Sequence, residues 1–266
     1  MIEIFRDGNH PHGRDDYWGT QARLQIKNDY GVDVSINQKA KGLRKFGRNN
    51  DLNTSTFETV WMNGGHEVYA TGNTIDTISS TSTGDAQQVK IEGHTLSGGN
   101  LIFSVQTKTL TGQIKAVLGT PLYRATRLYN IGATNFAGTV RVYEDTAISG
   151  GAPTDTTKVH LTASGDRNQS EKASTSISST DFWIIDHFYG SVSAKGAGRV
   201  EFNIQVRESG SVFRSLLNIS TSDNFSVEVT PNLIVPPNAD VRIIAKASAA
   251  NMECEAGIDG LLAKVI

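Results

Sequence analysis

A chain of 266 residues, 38% hydrophobic and 20% charged, can bury the core of one or two domains and is too apolar to be wholly disordered. Its net charge is −2, and even residues 1–50, at +3, are too weakly basic for a dedicated nucleic-acid surface; a single cysteine, Cys254, rules out an internal disulfide. No apolar run approaches the ~18 residues of a membrane-spanning helix, and MIEIFRDGNH lacks the pattern of a signal peptide, so synthesis and folding in a cytoplasm are expected.

The first 37 residues show little sustained periodicity. DGNHPHGRDDYWG is rich in turn residues and carries two large aromatics, Tyr17 and Trp18, which need a pocket in this body or in a partner. TQARLQIKNDYGVDVSIN predicts a short hairpin, with Leu24 and Ile26, then Val32, Val34 and Ile36, alternating around NDYG. QKAKGLRKFGRNN follows, with five basic residues (Lys39, Lys41, Arg44, Lys45, Arg48) and no acid. Residues 1–50 hold nine basic against six acidic residues, whereas the rest holds sixteen against twenty-one. A basic arm on an acidic body suits docking onto another protein. Residues 1–55 therefore read as an extended N-terminal arm whose contacts are Tyr17, Trp18, Lys39, Lys41, Arg44, Lys45 and Arg48.

From Thr56 the pattern turns to β. FETVWM, HEVYA, NTIDTIS, QQVKIEG, LIFSVQTK, QIKAVLG, YRATRLYN and GTVRVYE alternate or are β-branched. Asn63-Gly64-Gly65, Thr83-Gly84-Asp85, Ser97-Gly98-Gly99-Asn100 and Thr111-Gly112 punctuate them. Residues 145–181 are small and polar around one strand-like piece, KVHLT, and read as a connection that can hold an edge hairpin. A second β unit follows. Its clearest hairpin is RVEFNIQVRESGSVFRSLLNIS, in which Val200, Phe202, Ile204 and Val206 alternate. Pro236-Pro237-Asn238-Ala239-Asp240 reads as a rigid turn. The expectation is an all-β protein: the arm, then one or two antiparallel β-sandwich or jelly-roll-like units, over 56–160 and 161–266.

Catalytic signatures are missing from the sequence: there is no G-x-S-x-G, H-E-x-x-H, P-loop or C-x-x-C. His10, His12, Asp15 and Asp16 could supply metal ligands in number, but their spacing fits no closed site, and a polar turn is the preferred reading. Asp186 and His187 are neighbours on a strand and point to opposite faces, so they make no dyad. The acids Glu58, Glu67, Asp76, Glu92, Glu144, Glu201 and Glu228 sit on the polar phase of strands and read as a solvated face. Cys254 reads as a buried, inert thiol. Neither a cofactor nor a metal is expected, and the chain reads as no enzyme.

Phe46-Gly47-Arg48-Asn49, Asp51, then Glu58-x-x-Trp61-x-x-Gly64-Gly65 resembles a group of structural proteins from tailed bacteriophages, many from aquatic hosts. NIGATNFAGTVRVY and VPPNADVRIIAKAS…AGIDGLLAKVI extend the resemblance over roughly 45–266. It implies a virion protein without a cofactor, assembled in the host bacterial cytoplasm. The implied role is capsid cement or decoration, clamping neighbouring subunits of the major capsid protein through the arm, commonly as a homotrimer. A neck, tail or fibre-anchoring component is the alternative of the same class. A carbohydrate- or receptor-binding module is the alternative of another class, with Trp61, Tyr123, Trp183 and Tyr189 as a candidate stacking platform.

Overall fold

The computed structural model describes residues 2–5, 21–27, 33–39, 41–194 and 198–264. Among these the chain is all β, with a single 3₁₀ turn at Thr156–Lys158. Strands β1 (Ile2–Phe5), β2 (Gln21–Lys27) and β3 (Asp33–Lys39) form an antiparallel sheet. Its register sets Leu24 opposite Ile36 and Ile26 opposite Val34, so the hairpin expected from alternation is present. Tyr17, Trp18, His10, His12, Asp15 and Asp16 lie outside the described residues.

The next strand, β4 (Lys41–Asn49), changes the reading of the arm. It pairs antiparallel along β21 (Met252–Lys264), from Lys41 opposite Leu262 to Asn49 opposite Cys254. After the two-residue strand β5 (Glu58–Thr59), the chain leaves for a separate sandwich and returns at β15 (Ser174–Ser176). It then runs through β16 (Asp181–Ala194), β17 (Val200–Arg207), β18 (Arg214–Thr221), β19 (Phe225–Val235) and β20 (Asp240–Ala247). One sheet is ordered β19-β16-β21-β4 and the other β15-β20-β17-β18. Counting β4 as first and β21 as eighth, these orders are 6-3-8-1 and 2-7-4-5, the double Greek key of a jelly roll. Its core includes Trp183, Phe188, Phe202 and Ile243, with Cys254 also buried in it. Burial pushes that thiol up to about 12, in line with an inert cysteine.

The inserted sandwich spans β6 (Ile75–Ser80), β7 (Gln88–Ser97), β8 (Asn100–Thr109), β9 (Ala116–Leu122), β10 (Arg124–Asn130) and β11 (Val140–Glu144). The small hairpin β12 (Ile148–Ser149) and β13 (Ala152–Pro153) follows, then β14 (Val159–Ala163). Sheets β14-β11-β6-β9 and β10-β7-β8 enclose a second core around Ile75, Ile78, Ile91, Leu122, Leu128 and Leu161. KVHLT thus becomes β14, a buried strand at the end of its sheet order, rather than part of a linker.

Two expectations are corrected. The jelly roll is discontinuous: its first strand lies within 1–55, and the other sandwich is inserted between its first and second strands. Residues 41–49 are accordingly a strand of the body and not a tether. The reason is a close fit between distant segments that composition cannot register. A Cβ on Gly47 would come within 2.0 Å of Val60 O and 2.4 Å of Ala173 N, so only glycine lets β4 seat there.

The recognised motif has a structural explanation at the same place. Asn49 accepts from Asp51 N and donates to Glu58 Oε2. Glu58 also accepts from Asn53 N and Gly65 N. Trp61 Nε1 donates to the carbonyls of Gly64 and Gly65, both at φ +67°. Asparagine, glutamate, tryptophan and two glycines therefore close one turn between the first strand and the inserted sandwich.

Candidate functional site

The chain crosses between the two sandwiches twice, at Glu67 on the way out and at Lys172 on the way back. Both side chains are nearly inaccessible, and they form a buried ion pair. The ammonium of Lys172 also donates to Ala125 O (2.9 Å) and His160 O (3.1 Å), so all three of its protons have acceptors. The other oxygen of Glu67 accepts from Ser174 Oγ at 2.6 Å. Beside this pair, Lys45 of β4 reaches from the jelly roll to Thr126 O of the insert, at 2.9 Å. Burial lowers the Lys45 ammonium to about 7. His94 and His160 are lowered to about 4, again chiefly by burial. Glu67 was expected on a solvated face; it is instead part of the joint.

The joint opens at one side into a cleft of about 390 Å³. Its wall combines Tyr69, Tyr123 and Arg124 with Arg207, the Ser209–Ser211 turn, Asn238 and Asp240. Arg124 grips Asp240 with Nε (3.0 Å) and Nη2 (3.1 Å), and gives Nη1 to Ala70 O and Tyr123 O. Asp240 also accepts from Ser176 Oγ (2.5 Å) and from Arg207 Nη2. Burial alone would raise the Asp240 carboxyl, yet Arg124 and these hydrogen bonds hold it below the usual carboxylate range. The guanidinium of Arg124 stacks 3.8 Å from the ring centre of Tyr123, and that of Arg207 sits beside the contacting rings of Tyr69 (4.3 Å) and Phe213 (4.6 Å), whose centres are 5.5 Å apart.

A third feature lies on the sheet margins. Strands β8, β9, β18 and β19 each end a sheet order. They carry Ile102, Phe103, Val105, Val117, Leu216 and Ile234, which are among the exposed large hydrophobic residues. Phe103 and Val105 share a face of β8 with buried Leu101, whose backbone donates to Asn238 Oδ1 and accepts from Ser179 N. Between β8 and β9 the side chain of Gln106 bonds the backbone of Thr120 in place of a ladder.

Of the seven residues expected on the arm, Lys41, Arg44, Lys45 and Arg48 lie in β4, and Tyr17 and Trp18 lie outside the described residues. Arg44 makes a bidentate pair with Asp259, Arg48 pairs with Glu253 and Glu255, and Lys45 is buried. The side chain of Lys39 is outside the described part of β3. Of the proposed stacking aromatics, Trp61 and Trp183 are buried, Tyr189 is half-buried, and Tyr123 alone lines the cleft. Sequence reading missed Glu67, Lys172, Arg124, Arg207 and Asp240. The strand alternation of HEVYA placed Glu67 outside, and Lys172 stands in a Ser/Thr-rich run with no pattern of its own. His187 bonds Ser226 Oγ at 2.7 Å, a structural contact across β16 and β19. Among the described residues no group of three or more His, Cys, Asp or Glu could hold a metal, and no helix is long and apolar enough to cross a membrane.

No family model and no curated protein matches the chain. Among solved structures it is similar to the VP2 subviral particle of infectious bursal disease virus, at 8% identity and a TM-score of 0.23. That match covers 93% of this chain and 64% of the other, so the chain spans less than two thirds of it. Structures of the Gx and Gt strains of the same virus match at 10% identity, with TM-scores of 0.20 and 0.23. They cover 86% and 94% of this chain and 71% and 65% of those chains. Scores this low assign no fold; the jelly roll rests on the strand order alone.

Proposed function

We propose that this chain is a non-enzymatic structural protein of a tailed-phage virion, of the capsid cement or decoration type. The observation that carries the reading is the set of exposed apolar side chains on the sheet margins. Exposed apolar side chains on strands that end a sheet invite another chain, and their presence on several such strands suits a subunit that joins a lattice. The jelly roll is compatible with this, being a fold used by viral capsids but also by lectins and cupins. The motif resemblance points the same way. Each subunit binds a neighbouring copy and the major capsid protein, commonly as a trimer, and many modest contacts add by symmetry.

Counting copies per particle by quantitative mass spectrometry tests the role. Hundreds of copies are expected for cement, whereas about three to twelve identify a neck, tail or fibre-anchoring part and overturn it. Arm truncation needs a different boundary from the one composition suggests. Removing residues 1–40 is expected to leave a folded body that no longer binds particles. Removing 1–50 takes away the first strand of the jelly roll, and is expected to abolish the cooperative urea transition. A carbohydrate-binding reading gains one observation, the cleft between the sandwiches.

A further inference from the structure

The cleft wall carries more positive charge than its own acid can neutralise. Asp240 receives four hydrogen bonds, two on each oxygen, which fills its lone-pair sites. Against this one carboxylate stand Arg124 and Arg207, so one positive charge is left over. Arg124 is used up, with three of its nitrogens engaged and its plane stacked on Tyr123. Arg207 differs. It gives one N–H to Asp240, and its other four make no hydrogen bond to the described residues. Its side chain is 23% exposed and rests against the contacting rings of Tyr69 and Phe213. A guanidinium anchored by Asp240 and two rings, with donors to spare, is preorganised for a planar oxyanion, because its parallel N–H groups match two carboxylate oxygens.

The rest of the wall says what else the ligand carries. Ser209, Ser211 and Thr71 offer hydroxyls, and Gly99 and Gly210 leave backbone uncovered. Asn238 accepts from Leu101 N through Oδ1, which turns its amide N–H₂ to other acceptors. A volume of about 390 Å³ lies near the small end of the range for small-molecule sites, more room than a lone carboxylate fills. The geometry points to a binding site for a carboxylate-bearing sugar, with Arg207 taking the carboxylate and the serine turn the ring hydroxyls. The assignment is independent of the virion reading, since a lattice subunit can carry such a site or lack it.

The test is titration of the full chain with sodium D-glucuronate and with N-acetylneuraminate, using D-glucose, acetate and inorganic phosphate as comparators. Expected is saturable binding of at least one acidic sugar, with glucose, acetate and phosphate each at least tenfold weaker. Arg207→Lys should weaken it about tenfold by losing the bidentate fork, whereas Arg167→Lys, outside the wall, should leave it unchanged. Amide shifts of the unmutated protein give a second readout, expected at 97–101 and 207–211, which holds even if the variant fails to fold. Equal binding of glucose, equal binding of acetate or phosphate, shifts elsewhere, or no saturable binding of either acidic sugar would overturn the assignment.

Discussion

Two regions of this protein break the usual partition of side chains in opposite directions. The joint between the sandwiches buries two lysines, a glutamate and two histidines, while the margins expose phenylalanine, valine and isoleucine to water. The ion pair at the centre of the joint is satisfied from within: every proton of Lys172 has an acceptor inside the chain. The margins leave apolar surface in water, which the proposed role has another chain cover. A feature complete within one chain serves the fold, and one left incomplete serves a partner.

The sharpest way to break this contrast is to open the joint. Lys172→Met leaves Glu67 buried without its cation, and is expected to cost about 3–5 kcal/mol in urea unfolding. Adding Glu67→Gln should restore most of that loss, since the uncompensated charge goes and Ser174 keeps a partner. A loss below about 1 kcal/mol would show that the pair is hydrated and the joint loose.

Lys45 sharpens the contrast through pH. Its folded value of about 7 lies below the ordinary 10.5, so between these pH values the unfolded chain holds the extra proton. Stability should therefore rise with pH across that window, by up to about 1.4 kcal/mol per unit, relative to Lys45→Met. A constant difference between the two proteins from pH 7 to 10 would mean that Lys45 keeps its charge in water.

The histidines act in the same sense at lower pH. His94 and His160 are lowered to about 4 from the ordinary 6.5, so their contribution is complete above 6.5 and lost as pH falls toward 4. His160→Gln should flatten that acid loss by roughly half, read from urea midpoints between pH 4.5 and 7.

Much of the strand map was legible in the sequence, because alternation marks a sheet with one wet face. Val200, Phe202, Ile204 and Val206 are all buried in β17 as their spacing implies. The turns at Gly98-Gly99 and Gly210 have the positive φ that glycine permits. The topology was not legible. β4 is joined to β21 across the whole length of the chain, and its basic residues look solvated until Asp259, Glu253 and Glu255 are seen beside them. The cleft was hidden for the same reason, since Tyr69, Arg124, Arg207 and Asp240 come from four distant segments. Local pattern reports which face of a strand is wet; it does not report which strand lies alongside.

The central claim is that the margins are built for other copies, and sedimentation velocity across a range of concentrations tests it most directly. The account predicts a discrete oligomer for the unmodified chain. For Phe103→Asp/Val105→Asp it predicts a monomer that still unfolds cooperatively in urea, less stable by about 1–2 kcal/mol because the Phe103 ring contacts buried His94. An unmodified chain that stays monomeric throughout, or a double variant that assembles as before, would contradict it.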